Sequence, residues 1–228
     1  MTYQDLQLIA PTAKLAVSDK GITFDEFDAD YKEGRIQLEG RISPSDVQLK
    51  QLRMSGIKWL ENTSELVSSL HQAAQSLNTL SIDELDVNNG QIIQIERKPY
   101  WQLSGVNIEG GQLSLIKDGK AGFFNGHLEV TANNASLDQL LTTQAMIRAS
   151  SQQGDVRLER AFLPLPSGYI EANGKWDQTT LCAPWTFSLH GDGIPLEQAW
   201  IQWRLPFSLG GLAEIELDLS GLSGDYSM

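Results

Sequence analysis

Histidine, cysteine and clustered acids build most protein sites, and this chain uses each of them without a recognisable pattern. The three histidines, His71, His127 and His190, lie far apart, outside any His-x-x-x-His or Cys/His spacing that would hold zinc. The lone cysteine, Cys182 in TTLCAPW, has no basic neighbour to lower its pKa and reads as an inert thiol. The acidic run DEFDAD (Asp25 to Asp30) raises calcium binding, but an EF-hand loop needs a glycine after its acids, and here Lys32 and Glu33 follow. Solvent-facing acids of a strand whose other face carries Phe24 and Phe27 explain the run instead.

The remaining motifs fail in similar ways. GKAGFFNG lacks the Lys-Ser/Thr of a phosphate loop, HGDGIP lacks the third glycine of a dinucleotide loop, and no G-x-S-x-G occurs. The Asn62 and Asn134 sequons match glycosylation sites, a pattern that arises often by chance. Six tryptophans (Trp59, Trp101, Trp176, Trp185, Trp200, Trp203) could form a sugar platform, although aromatics in β proteins more often pack cores and strand ends. Paired carboxylates occur where strand alternation puts residues in water. These residues carry no catalytic reading, and no cofactor or metal is expected.

Composition narrows the partners. With 29 acidic against 17 basic residues the formal charge is −12, so the chain repels nucleic acid and anionic membrane surfaces. No run approaches the roughly 18 consecutive apolar residues of a membrane helix, and MTYQDLQLIAPTAK does not resemble a signal peptide. The ending SGLSGDYSM stops just after a strand, which favours a fragment of a longer protein.

Glycine-punctuated alternation dominates the elements. Turns are expected near Gly34, at Asn89-Gly90, at Gly110-Gly111, around Asp118-Gly119 and near Ser167-Gly168, each between runs of period 2. One segment has helical period: Leu66, Leu70, Ala73 and Leu77 share a stripe behind an Asn62/Glu65 capping box, predicting a substantial helix over 63–77. Short helical turns are expected near 136–142 and 195–203, the latter opened by Pro195. The fold expected is mainly β: one elongated, strongly curved antiparallel sheet of repeating hairpins, forming an open groove over residues 1–228 as a single unit.

The last segment, GIPLEQAWIQWRLPFSLGGLAEIELDLSGLSGD, ends in a strand that alternates Ala213, Ile215, Leu217 and Leu219 against Glu214, Glu216, Asp218 and Ser220. It resembles the recurring segment of the AsmA family, in which a helical turn precedes LPF-x-L-x-G and a strand ending in L-x-L-S-G. The matching residues are Pro195, Leu196, Leu205, Pro206, Leu209, Gly211, Ile215, Leu217, Leu219, Ser220 and Gly221. Upstream, Trp59-Leu60, Leu85 to Gly90, Trp101 to Gly105 and Gly168 to Trp176 follow the order of the YicH-like branch of that family. The resemblance implies a periplasmic β region, anchored in the inner membrane in the full-length protein and related to TamB-like, bridge-like lipid-transfer proteins. It further implies phospholipid as ligand and a part in outer-membrane lipid homeostasis. No catalytic residue carries over.

A groove of this kind has a physical purpose. Each methylene kept from water is worth ~0.8 kcal/mol, so a tail of about 16 carbons crossing water unshielded costs on the order of 12 kcal/mol. A trough of alternating apolar positions removes most of that cost. Its candidate lining is Ile36, Leu38, Leu113, Leu115, Leu128, Val130, Val156, Leu158, Ile215, Leu217 and Leu219. About a dozen strands at ~4.8 Å spacing span about 60 Å, enough to hold lipid but too short to bridge two membranes alone. The expected partners are therefore phospholipid and the remainder of a longer, membrane-anchored chain. The rival reading is a structural or assembly scaffold for outer-membrane protein biogenesis, whose apolar faces meet only protein. A glycan-binding β domain comes third.

Overall fold

The computed structural model describes residues 8–60, 75–94, 100–137, 140–196 and 210–223, and its strands all join one 13-stranded sheet. The strands are β1 (Ile9–Ser18), β2 (Gly21–Tyr31), β3 (Gly34–Ile42), β4 (Asp46–Ser55), β5 (Lys58–Trp59), β6 (Thr79–Gln94), β7 (Trp101–Lys117), β8 (Lys120–Leu137), β9 (Leu140–Gln152), β10 (Asp155–Leu165), β11 (Gly168–Asp177), β12 (Pro184–Pro195) and β13 (Leu212–Leu222). They lie side by side in sequence order, with β5 alone off the path beside β6. β1 and β13 do not meet, so the sheet is open. No described element packs across it as a second layer; contacts run between ladder neighbours, with β10 also touching β8.

Local turn chemistry explains the meander. Lys32 and Glu33 both take left-handed φ (45° and 65°) between the paired Tyr31 and Gly34, and Asp118-Gly119 does the same between Lys117 and Lys120. Such turns match the twist of the strands they join. Pro166 and Ser167 turn between Leu165 and Gly168. The hairpins expected near Gly34, Asp118 and Ser167 are therefore present.

Asn89-Gly90 and Gly110-Gly111 are not hairpin turns. Both lie inside long strands, β6 of 16 residues and β7 of 17, where the ladder slips between Val87 and Gly90 and between Gly111 and Ser114. Asn89 (φ 52°) and Gln112 (φ 54°) adopt the left-handed conformation that a bulge needs. The Asn89 amide, freed from the ladder, donates to Oδ1 of Asn107 at 3.0 Å. Further slips occur in β1, β2, β10 and β12. A bulge bends its strand and raises the local twist.

One connection departs from the antiparallel plan. β4 and β5 both run parallel to β6, on the same side of it. They form one line broken at Gly56 (φ 65°), where Gly56 donates to Asn88 O and Ile57 O accepts from Gln91 N, both at 2.9 Å. The Ile57 side chain at this break is fully buried. Parallel neighbours require a crossover, and residues 61–74 fall in it.

The helical part of the expected fold class is overturned, because the described structure contains no helix element. Most of the stretch 63–77 lies outside the described residues, and Gln75 and Ser76 keep only the trace of a helical turn before β6. Of 136–142, expected as a helical turn, Ser136 and Leu137 instead pair with Leu141 and Leu140 between β8 and β9, and 138–139 lie outside the described residues. The ladder with β8 extends through Leu140, Leu141 and Thr142 and supplies backbone partners that an isolated turn of helix would lack. Of 195–203, Pro195 closes β12 opposite Leu212, and 197–209 lie outside the described residues.

Candidate functional site

Residues opposite one another in a sheet share a face, and chain neighbours take opposite faces, so the register identifies the surfaces directly. One apolar row starts at Ala29 of β2 and passes through Ile36, Met54, Val87 and Ile108. It continues through Val130, Ile147, Ala161, Ala172 and Leu189 to Leu217 of β13. A second row, two residues away along most strands, runs Ala13, Phe27, Leu38, Leu52, Leu85, Gly110 and Leu128. It proceeds through Ala149, Leu158, Gly174 and Phe187 to Leu219. Neither row contains a hydrogen-bonding side chain. A shorter row, Leu163, Ile170, Gly191 and Ile215, flanks them at the C-terminal end.

The other face is charged. Asp28, Gln37, Arg53, Asp86, Glu109, Glu129, Arg148 and Arg160 stand opposite one another in turn across eight strands. Acid meets base between neighbours: Arg148 with Glu129 at 2.7 Å, Arg160 with Glu171 at 2.8 Å, Arg35 with Asp28 at 2.6 Å. The Arg35 guanidinium, and then Gln37, hold the Asp28 carboxyl below its ordinary range. That occupies an acid of the DEFDAD run with a cation of the next strand and accounts for it without calcium. Arg160 also lies 4.6 Å over the ring of Phe162, and Phe162, Tyr169 and His190 form a chain of tilted ring contacts at 5.7 Å.

The sequence-derived lining residues divide along the sheet. Ile36, Val130 and Leu217 occupy the first row, and Leu38, Leu128, Leu158 and Leu219 the second. Ile215 lies in the flanking row. Leu113 stands opposite Ile82, which stands opposite Leu49, and these three form a buried cluster on which Leu38, Leu115 and Leu128 pack. Val156, opposite Ser151 and Trp176, is buried. Exposure changes along the face: Val87 and Val106 are 1% exposed, whereas Ile147, Leu217 and Leu219 are 46%, 40% and 44% exposed. The open positions are therefore Ile147 and the β13 edge, while most of the row residues between them are half-buried and Ala172 is buried.

Sequence reasoning missed Leu49, Ile57, Ile82, Val87 and Val106. In β4 the inward residues are Val47, Leu49, Leu52 and Met54, so the period changes at Lys50-Gln51 and hides the alternation. Ile57 sits at a break, where no period exists. Leu85 and Val87 did alternate, but the Asn-Gly that follows read as a turn.

The other singled-out residues are scattered. His127 is exposed beside Gly111, Cys182 is exposed at φ 57°, and His71, Trp200 and Trp203 lie outside the described residues. The described tryptophans are spread over β5, β7, β11 and β12. Among the described residues no group of three or more His, Cys, Asp or Glu is placed to hold a metal ion, and no helix is long and apolar enough to cross a membrane.

The sequence model of the AsmA family matches residues 2–228. The AsmA family protein YicH of Escherichia coli (strain K12) is 22% identical over 223 residues, 96% of this chain and 39% of that protein. The chain therefore spans less than half the length of the curated relative it matches. No solved structure matches. With an open, single-layer sheet that is apolar on one face and a family match from its second residue to its last, the chain belongs to the AsmA family.

Proposed function

We propose that this chain is a lipid-shielding segment of a longer envelope protein, tethered to the inner membrane and lying in the periplasm. It holds acyl chains of phospholipid against its apolar face as part of outer-membrane lipid homeostasis. The observation that carries this reading is the pair of apolar rows crossing the open sheet, walled by Leu, Ile, Val, Met, Phe, Ala and Gly. A row without hydrogen-bonding side chains gives a tail no specific anchor, so movement along it meets no deep trap. The exposed side chains of Ile147, Leu217 and Leu219 are where a tail has access. The AsmA family is not in general a family of enzymes, and the reading assigns no reaction.

The test is mass spectrometry of organic extracts from the purified chain. Phospholipid should co-purify with the unaltered chain, and much less with a Leu217→Asp/Leu219→Asp variant that remains folded. Lipid content equal to that of an unrelated β protein prepared alongside would end the proposal. A scaffold role in outer-membrane protein biogenesis is the second reading. It draws on the Leu49–Ile82–Leu113 cluster, where the apolar face is closed by protein alone.

A further inference from the structure

On β11 and β12 the apolar face ends in tryptophan. The first row crosses these strands at Ala172 and Leu189 and the second at Gly174 and Phe187. Two residues beyond on each strand, and so on the same face, are Trp176 and Trp185. Trp176 stands opposite Val156 and Trp185 opposite Gly221, in stretches of ladder without a slip. The β11–β12 register, unbroken as far as Lys175 opposite Thr186, brings the two indoles to the same end of the strands. Both strands have a ladder neighbour on each side, so these positions do not rest on an open edge.

The indoles mark a boundary. Beyond Trp176 the chain turns polar from Asp177 to Thr180, where Asp177 Oδ1 accepts from the amide and the hydroxyl of Thr179. Trp176 is 40% exposed. The Trp185 ring lies over the β13 backbone: a Cβ added at Gly221 would come within 2.9 Å of its Cζ2 and 3.0 Å of its Nε1. None of the described residues accepts a hydrogen bond from either indole, and Nε1 of Trp185 is not sealed from solvent. Two unpartnered donors therefore stand at the margin of a face whose first two rows offer no hydrogen-bonding side chain.

A diacyl lipid carries the complementary group at the same kind of boundary. Its ester carbonyls join apolar tails to a polar head, and they accept hydrogen bonds without donating any. An indole is apolar over its rings and polar at Nε1–H, which suits it to that junction. We propose that Trp176 and Trp185 receive the ester carbonyls of a diacyl glycerophospholipid and so set which way round it lies. The tails then run from the indoles past Phe187 and Leu219 towards Leu189 and Leu217, and the head group lies at the β11–β12 connection. This rests on the lipid reading above and adds the orientation and the chemical class of the linkage. Each indole exchanges water for a carbonyl, so the net gain is small, enough to orient a lipid without holding it fast.

The test incubates the 228-residue chain with vesicles of equal parts dioleoyl phosphatidylcholine and its diether analogue, which lacks only the carbonyls. A zwitterionic head group suits a chain whose formal charge is −12. The chain is then repurified and its bound lipids are measured by mass spectrometry. The unaltered chain should retain the diester over the diether by roughly threefold or more. Trp176→Phe/Trp185→Phe keeps a ring at each position, including the cover over Gly221, and loses both N–H groups. It should bind a similar total amount of lipid and retain the two forms equally. Equal retention by the unaltered chain, or an undiminished preference in the double variant, overturns this inference and leaves the lipid reading standing. Recovery of neither lipid overturns both.

Discussion

Leu217 of β13 stands opposite Leu189 of β12, and no described strand lies on its other side. Its chain neighbour Glu216 stands opposite His190 and faces the charged surface. One residue of displacement along the chain thus separates the apolar face from solvent.

That relationship makes the lipid reading decidable in cells. A photo-crosslinking residue at Leu217 should label phospholipid, and one at Glu216 should not. Labelling at neither position, or equally at both, would count against the proposed face. Leu219→Asp should sharply reduce the labelling from position 217 yet leave the fold nearly intact, because an edge side chain 44% exposed keeps its charge near water.

Truncation should separate the closed part of the apolar face from the open part. Ile57→Ala removes a fully buried side chain at the β4–β5 break and should cost about 2–5 kcal/mol. Leu217→Ala should cost less than ~1.5 kcal/mol, since little of its environment collapses. Urea unfolding of the two variants measures both, and equal losses would mean that β13 is covered in solution.

Gly126 should resist any side chain. Its φ is 113°, and an added Cβ would lie 2.6 Å from Gly111 O and 2.8 Å from Gln112 O, both backbone atoms. Gly126→Ala should therefore destabilise by at least about 2 kcal/mol, by straining φ and opening the β7–β8 bulge. Gly119→Ala, where an added Cβ meets nothing within 4 Å, should show only the cost of its left-handed φ of 71°. A smaller loss at Gly126 than at Gly119 would contradict the close approach of β7 and β8.

The turn after β11 should persist into acid. The hydroxyls of Thr180 and Thr179, followed by their backbone amides, lower the Asp177 carboxyl from its ordinary value to about 2. A lowered acid pKa means the folded turn prefers the ionised form. Its contribution is complete above the ordinary aspartate value of 3.8, and is lost as pH falls from there towards 2. Carbon NMR of the Asp177 carboxyl should give a midpoint near 2, and Asp177→Asn should remove the acid-dependent exposure of the Thr179 amide. A midpoint at the ordinary aspartate value would show that the hydroxyl contacts are not kept in solution.

The period-2 runs around Ile36, Leu128, Val130 and Leu217 were legible because strand geometry sends alternate side chains to opposite faces wherever the ladder is regular. Bulges broke that legibility. At Asn89-Gly90 and Gly110-Gly111 the residues favoured in hairpin turns are the same ones a bulge needs, since both require a left-handed or side-chain-free position. Only the facing strand shows whether the chain reverses or continues. The stretch 136–142 misled for a related reason. Its helical pattern is local, whereas its ladder partners on β8 are brought in by the sheet.

By itself the sequence determined a mainly β chain, the hairpins at Lys32-Glu33 and Asp118-Gly119, which residues of each regular strand share a face, and a family resemblance carried by its last segment and by the ordered motifs from Trp59 onward. These follow from backbone sterics and side-chain alternation, which act over a few residues. The tertiary structure decided the parallel placement of β4 and β5 beside β6, the joining of apolar positions from distant segments into continuous rows, and which of those positions are buried, such as Val87, or open, such as Leu217. Register between strands is set by backbone pairing and by where bulges fall, and neither has a signature within a single strand.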